Sequence, residues 1–318
     1  MIIPLKSIIT ITLNPSVDQS CTTSVVKDER KLKCSQPQYD PGGGGLNVSR
    51  VIKRLGGQTK AFYPAGGCTG NLLKKLLDSE ELDHVSINVQ GATRLNFHVI
   101  EESTDRQFRF NMPGIAMEDG EFKDLLRDLK EFTPHPDYIV ASGSIPPGLD
   151  SSCLQDIANL AGEVNAKLIV DSSGEALQKA LGKDLFLIKP NLREFSELIG
   201  KQLKNQDQIV EEAKNIIDQH KVSVVVVSMG QAGTIFVSAE ESGHIQTPYV
   251  PINSRIGAGD SMLAGLTLQL SQDEALKDAV MFGVAAGTAA VMTPGTELCR
   301  KKDVERLYKI LKNKIRDG

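Results

Sequence analysis

One acid in this chain stands where acids do chemistry. Asp260 closes the run Ile256-Gly257-Ala258-Gly259-Asp260, just ahead of the apolar stretch 262–270. Two glycines before a helix leave backbone N–H groups bare and let an anion approach the backbone closely. The helix N-terminus adds partial positive charge. An acid in that first turn would lie beside the anion and could take a proton from an attacking hydroxyl. The same residues suit a plain turn with Asp260 as a capping residue, and alone they do not choose between the two.

Three other stretches have comparable potential. Pro41-Gly42-Gly43-Gly44-Gly45-Leu46-Asn47-Val48-Ser49-Arg50 places four glycines before an expected helix. Adjacent glycines are costly in backbone entropy, so close backbone approach to a ligand explains the run better than a flexible loop does. Asn47 suits a helix cap or a contact to a sugar hydroxyl. Lys189-Pro190-Asn191-Leu192-Arg193-Glu194 follows an apolar strand. Asn191 and Glu194 share a helix face, which suits Mg²⁺ held partly through water or a capping box that needs no ligand. Ser228-Met229-Gly230-Gln231-Ala232-Gly233 is either a tight turn or a wrap around a nucleotide's phosphates. Lys31 and Arg94 lie in the expected lid segments and read first as solvated charges, and Asp18 is a turn residue or a carboxylate at a strand end.

Several chemistries are excluded. There is no G-x-x-x-x-G-K-[ST] loop, and the glycine run lacks the acidic partner of a dinucleotide fingerprint. The five histidines are scattered, with no zinc spacing. The five cysteines are an odd number without a C-x-x-C pair, which predicts reduced thiols in a cytoplasmic protein. Over 318 residues the net charge is −4, with 36 basic against 40 acidic side chains. That balance points away from nucleic acid and from anionic membrane surfaces. No apolar run approaches the roughly 20 residues of a spanning helix. The opening MIIPLKSIITITL reads as a mature N-terminus running into a strand.

The elements that must position these residues alternate. Near-continuous apolar runs at 7–13, 138–141, 167–170, 185–188 and 222–227 predict strands covered on both faces. Amphipathic stretches at 47–55, 120–131, 154–164 and 207–219 predict helices between them, and 259–270, 273–292 and 303–314 predict a helical C-terminal third. Such alternation predicts an α/β fold, a largely parallel sheet with helices on both faces. The segments at about 18–40 and 93–112 lack helical period, and the second alternates polar with apolar residues. They predict a small β-sheet lid on a single domain spanning 1–318.

Taken in order, NPSVD (14–18), PGGGGLNVSR (41–50), SGSIPPG (142–148), DSSGEAL (171–177), KPNLREF (189–195), SMGQAG (228–233) and GAGDSMLAG (257–265) resemble the PfkB family of ribokinase-like carbohydrate kinases. The resemblance covers nearly the whole chain. It implies a ribokinase-like sheet with a β lid, ATP, Mg²⁺ and a monovalent cation as cofactors, a sugar phosphate as acceptor, and a homodimer formed through the lid. It implies Asp260 as base, and Gly257, Ala258 and Gly259 as an anion hole for the transferred group. Asn191 and Glu194 are implied near Mg²⁺, and Lys189, Asn191, Ser228, Gly230 and Gly233 near the nucleotide. Asp18, Gly43, Gly44 and Asn47 are implied at sugar hydroxyls, and Lys31 and Arg94 at the sugar's phosphate. A glycine run without lysine, with FRFNMPG at 108–114, is most similar to the minor branch that phosphorylates fructose 6-phosphate. Branches acting on fructose 1-phosphate or tagatose 6-phosphate are the nearest alternatives, and a non-catalytic regulatory ligand-binding protein is the alternative outside enzymes. One departure is Glu297, which stands where close relatives carry Arg, beside the stretch implied to bind the monovalent cation.

Overall fold

A nine-stranded sheet organises the chain. The structure is a computed structural model describing residues 6–132 and 134–316. The strands are β1 (Ile8–Ile11), β2 (Ser16–Thr23), β3 (Gln38–Gly42), β4 (Lys60–Ala65), β5 (His84–Asn88), β6 (Arg94–Glu101), β7 (Arg106–Phe110), β8 (Tyr138–Ser142), β9 (Lys167–Asp171), β10 (Leu185–Ile188), β11 (Val222–Ser228), β12 (Thr234–Ser238) and β13 (Ser242–Ile245). The helices are α1 (Gly44–Leu55), α2 (Gly67–Ser79), α3 (Asp119–Glu131), α4 (Cys153–Glu163), α5 (Gly174–Ala180), α6 (Leu192–Ile199), α7 (Gln206–His220), α8 (Ala258–Ser271), α9 (Leu276–Val291) and α10 (Lys301–Arg316).

The main sheet runs β13-β12-β11-β10-β9-β8-β1-β4-β5. It is parallel except at one edge, where β12 and β13 pair antiparallel. Its strands read as unbroken apolar runs because alternate residues enter different cores. Ile9, Ile11, Ile139 and Ala141 pack against α3 to α7 on one face. Ile8, Val140, Ile169 and Leu187 pack against α1, α8, α9 and α10 on the other. Each such aliphatic side chain contributes roughly 1.5–3 kcal/mol when fully buried.

A second sheet, ordered β3-β2-β6-β7, supplies the lid. Its two faces differ in chemistry. Register places Asp18 beside both Asp40 and Asn96, and His98 beside Arg109. The opposite face carries the row Tyr39, Gln19, Phe97 and Phe110. Tyr39 is 40% exposed and Phe110 51%.

The order of the main sheet reverses at β1. From β1 the chain moves to β4 on one side, and later to β8 and β9 on the other. Open α/β sheets offer a ligand crevice at such a point, beyond the carboxyl ends of the strands. The start of α1 lies there. A Cβ on Gly45 would sit 2.5 Å from Ile11 O, and one on Gly44 would sit 2.9 Å from Gly143 N and against Ser142 Oγ. The protein's own atoms at the ends of β1 and β8 thus require Gly44 and Gly45 whether or not a ligand also approaches the run. The helix also begins earlier than expected. Gly43 is its cap and Gly44 its first residue, so Asn47 lies inside the first turn and caps nothing.

Candidate active site

Helix α8 begins at a glycine that no other residue could replace without strain. Gly257 has φ +69°, and a Cβ there would lie 2.5 Å from Leu298 Cδ2. No side chain caps this helix. Among the described residues nothing accepts a hydrogen bond from the amides of Gly257, Ala258, Gly259 or Asp260, while Ser261 N already donates to Gly257 O. These amides, with the positive end of the helix dipole, form a cradle for an anion. The alternative that Asp260 is only a capping residue therefore fails.

The Asp260 side chain points elsewhere. Its Oδ2 accepts from Asn47 Nδ2 at 2.8 Å, across 213 positions of sequence. Asp260 is half-buried, and burial pushes its carboxyl up to about 6. Donation from Asn47 and the charge of Lys189 pull it back down, while Asp171 and Asp18 push it further up. A carboxyl titrating near 6 accepts a proton more readily than an ordinary aspartate and is still ionised at neutral pH.

The ends of the neighbouring strands complete the arrangement. Lys189, directly after β10, is buried, and its Nζ lies 3.1 Å from Asp171 Oδ1 at the end of β9. The same Nζ lies 3.7 Å from the point where a Cβ on Gly259 would sit. A desolvated cation thus stands beside the bare amides. Asn191 and Glu194 form a reciprocal capping box at the start of α6. Asn191 Oδ1 accepts from Glu194 N at 3.0 Å, and Glu194 Oε2 accepts from Asn191 N at 2.9 Å. Asn191 also bridges to Ser228 at the end of β11. Gly230 has φ +61° with open space beside it, whereas Gly233 is needed because a Cβ would strike His244 and Ile245 O.

On the lid's polar face, Asp18 Oδ1 accepts from Ser16 Oγ at 2.7 Å and Asn96 Nδ2 at 2.9 Å. Arg94 donates to Pro15 O, Met112 O and Asn14 O at 3.3, 3.2 and 2.8 Å. That leaves two of its five N–H groups free. Lys31 lies in the connection between β2 and β3, exposed and without a partner among the described residues. The structure brings Asp18, Asn47, Lys189 and Asp260 into one electrostatic cluster and leaves Lys31 outside it.

Sequence reasoning passed over several groups. Asp171 ends a parallel strand, a position that could have marked it. Burial and the neighbouring Arg255 both push the Arg109 guanidinium down, so two like charges approach one another on the lid side of the cleft. Gln107 Nε2 donates to Asn253 O at 3.1 Å and fastens β7 to the loop that carries Arg255. His98, 8% exposed, has no hydrogen-bond partner for either ring nitrogen among the described residues. Burial pushes its pKa down, against the pull of Asp18 3.9 Å away.

These residues fit a nucleotide phosphate with its metal better than a metal held by protein alone. The described residues contain no cluster of three His, Cys, Asp or Glu side chains that could hold a metal ion. Glu297, beside the implied monovalent-cation stretch, is bound at 2.7 and 2.9 Å by Arg300. No helix of the described residues is long and apolar enough to cross a membrane.

Comparison with known proteins gives a consistent picture. Residues 7–303 match the pfkB family of carbohydrate kinases. The chain is 40% identical over 305 residues to the ATP-dependent 6-phosphofructokinase isozyme 2 of Escherichia coli K12, covering 96% of this chain and 98% of that one. It is 34% identical to the 1-phosphofructokinase of Borreliella burgdorferi, covering 94% and 96%. The crystal structure of the E. coli phosphofructokinase-2 in complex with potassium superimposes with a TM-score of 0.92 at 39% identity, over 97% of this chain and all of that one.

Proposed function

The chain belongs to the pfkB family of carbohydrate kinases, and on that premise we propose that it transfers the γ-phosphoryl group of ATP to fructose 6-phosphate, giving fructose 1,6-bisphosphate and ADP. The single observation that carries the mechanism is Asp260, its carboxyl raised to about 6, beside bare amides at the start of α8.

Asp260 accepts the proton of the sugar hydroxyl as that oxygen bonds to the γ-phosphorus and the bond to the β-phosphate oxygen breaks. The amides of Gly257 to Asp260 and the Lys189 ammonium receive the negative charge of the group in transfer. Mg²⁺ bound with the nucleotide would neutralise phosphate charge, with Asn191 and Glu194 meeting it through water. Ser228, Gly230 and Gly233 line the nucleotide side. Asp18, Asn47, Gly43 and Gly44 hold the sugar. Arg94 offers its two free N–H groups to the sugar's phosphate; Lys31, exposed in the lid connection, would join it only on lid closure. Potassium is named with the E. coli structure; here Glu297 is spent on Arg300, so a cation site would rest on backbone carbonyls of the nearby loop.

The row Tyr39, Phe97 and Phe110 on the outer lid face supports a homodimer closed lid to lid. Its substrates suit a cytoplasmic enzyme.

A coupled assay of ADP release with Mg-ATP tests the proposal. Fructose 6-phosphate, tagatose 6-phosphate, fructose 1-phosphate and ribose are compared by kcat/KM. Preference for fructose 6-phosphate is expected. Preference for another sugar phosphate overturns the substrate, and no turnover with any overturns the kinase assignment.

A further inference from the structure

The hydrogen bond that steadies Asp260 depends on which way the Asn47 amide is turned, and one buried side chain decides that. Arg50 lies one turn beyond Asn47 on α1, on the same face. It is 2% exposed. Its Nη1 donates to Asn47 Oδ1 at 3.1 Å and to Pro41 O at 2.8 Å. Its Nε and Nη2 grip Glu80 at 2.8 and 2.6 Å, and Nη2 lies 3.9 Å from Asp40. Burial pushes the Glu80 carboxyl up, but the hydrogen bonds and charge of Arg50 overcome it and hold it below the ordinary range.

Arginine has donors only. The Asn47 atom that meets it must therefore be the oxygen, and the atom left for Asp260 must be the nitrogen. Were the amide turned over, its oxygen would face the Asp260 carboxylate, and the carboxylate would be repelled instead of held.

We propose that Arg50 is a positioning residue for phosphoryl transfer: clamped by Glu80 and Pro41, it locks the Asn47 amide so that Nδ2 orients Asp260 for proton acceptance. The inference rests on Asp260 being the base. It extends the site by a second layer, Glu80–Arg50–Asn47–Asp260, running from the end of α2 to the start of α8. Lysine cannot substitute, because a single ammonium lacks the planar fork that reaches Glu80, Pro41 and Asn47 together.

The charged groups facing Asp260 are Lys189 after β10, Asp171 at the end of β9 and Asp18 in β2. None of them touches Arg50. A change at Arg50 can thus reach Asp260 through Asn47 without altering the other influences on it. Losing the oriented donor removes a contact that lowers the Asp260 pKa, so the pKa moves up.

The test uses the full chain with two variants, Arg50→Lys and the double change Arg50→Met/Glu80→Gln. The second removes the buried pair without stranding a charge. Circular dichroism and thermal melting establish folding, and kcat and KM are followed from pH 5 to 9. The expected result is a kcat lower by on the order of tenfold, KM for Mg-ATP unchanged, and the acidic limb of kcat/KM raised by about one pH unit. In an Asn47→Ala background the same Arg50 changes should move the limb no further. A folded variant that melts earlier but keeps the parent's kcat and acidic limb overturns the proposal and leaves a structural ion pair. Asp260→Asn, run alongside, separates the two failures: if it turns over normally, the base assignment falls, and the inference with it.

Discussion

Replacing Asp260 by Asn should weaken the enzyme and strengthen the protein. The carboxyl titrates near 6 in the folded chain against an ordinary value of 3.8. Two units correspond to about 3 kcal/mol between the protonation states. The sign follows from linkage. The folded state holds this proton more tightly than the unfolded state does. Well below pH 4 both states are protonated and Asp260 costs nothing. Between about pH 4 and pH 6 the unfolded chain ionises while the folded one stays protonated, and stability falls by up to about 3 kcal/mol, a deficit fully present at pH 7. Asparagine keeps the shape and an oxygen to accept from Asn47 but cannot ionise. Asp260→Asn should therefore gain that amount at pH 7 and nothing at pH 3.5. With about 2.1 cal/mol/K per residue over 318 residues, the gain raises Tm by about 4 °C. Turnover should fall roughly 10²–10⁴-fold, because the proton acceptor is gone. Calorimetry at the two pH values and a coupled kinase assay read both effects. A pH-independent Tm difference would refute the buried-carboxyl account, and near-normal turnover would refute its role as base.

Other perturbations have equally definite outcomes. Gly45→Ala drives a methyl against Ile11 O and Thr12 Oγ1 at 2.5 and 2.6 Å, and should destabilise by about 1–3 kcal/mol or more, read as a lower urea midpoint. Glu194→Ala removes half of the capping box. It should cost about 1 kcal/mol in stability and raise the Mg²⁺ needed for half-maximal rate roughly tenfold; an unchanged Mg²⁺ dependence would leave only the cap. Arg94→Met should raise KM for fructose 6-phosphate roughly 10–100-fold, with KM for ATP unmoved. Phe110→Lys, at a side chain 51% exposed on the outer lid face, should shift a dimer towards monomer in light scattering at micromolar concentration.

Much of the scaffold is legible because its signals are local. The runs at 185–188 and 222–227 recur as β10 and β11, since strands covered on both faces must be apolar throughout. The end of β10 places Lys189 and Asn191 by sequence proximity alone. The glycine run shows where local signals stop short. Glycines required by a ligand and glycines required by a neighbouring strand look identical in sequence, and here Ile11 O and Gly143 N leave no room for a Cβ on Gly45 and Gly44 before any ligand is considered. The partnership of Asn47 with Asp260 crosses 213 positions, and that of Arg50 with Glu80 crosses 30. Neither has a periodic signature, because tertiary packing creates them. Arg109 and Arg255 carry no signal in the sequence as single cations, and become informative only when the lid brings them together. The antiparallel edge of β12 and β13 likewise has no marker beyond the turn at Gly230–Gly233.

The charges around Asp260 explain why its supporting residues are needed. A carboxylate in the first turn of a helix is ordinarily favoured by the dipole and by the free amides. Here it faces Asn47 instead, which leaves the amides of Gly257 to Asp260 without an internal acceptor. Had Asp260 folded back onto those amides it would have been held low as a weak base, and would have filled the cradle that a phosphoryl group needs. Turning it towards Asn47 keeps cradle and base separate. The cost is a carboxyl lifted by burial and by Asp171 and Asp18, restrained only by Asn47 and Lys189. Asp171 cannot be removed to relieve it, because that carboxylate neutralises the buried Lys189. Nor can Asn47 be left free to turn, because its rotation decides whether Asp260 is held or repelled. A site arranged this way requires a rigid support behind Asn47, and the one buried group in contact with that amide that can only donate is Arg50.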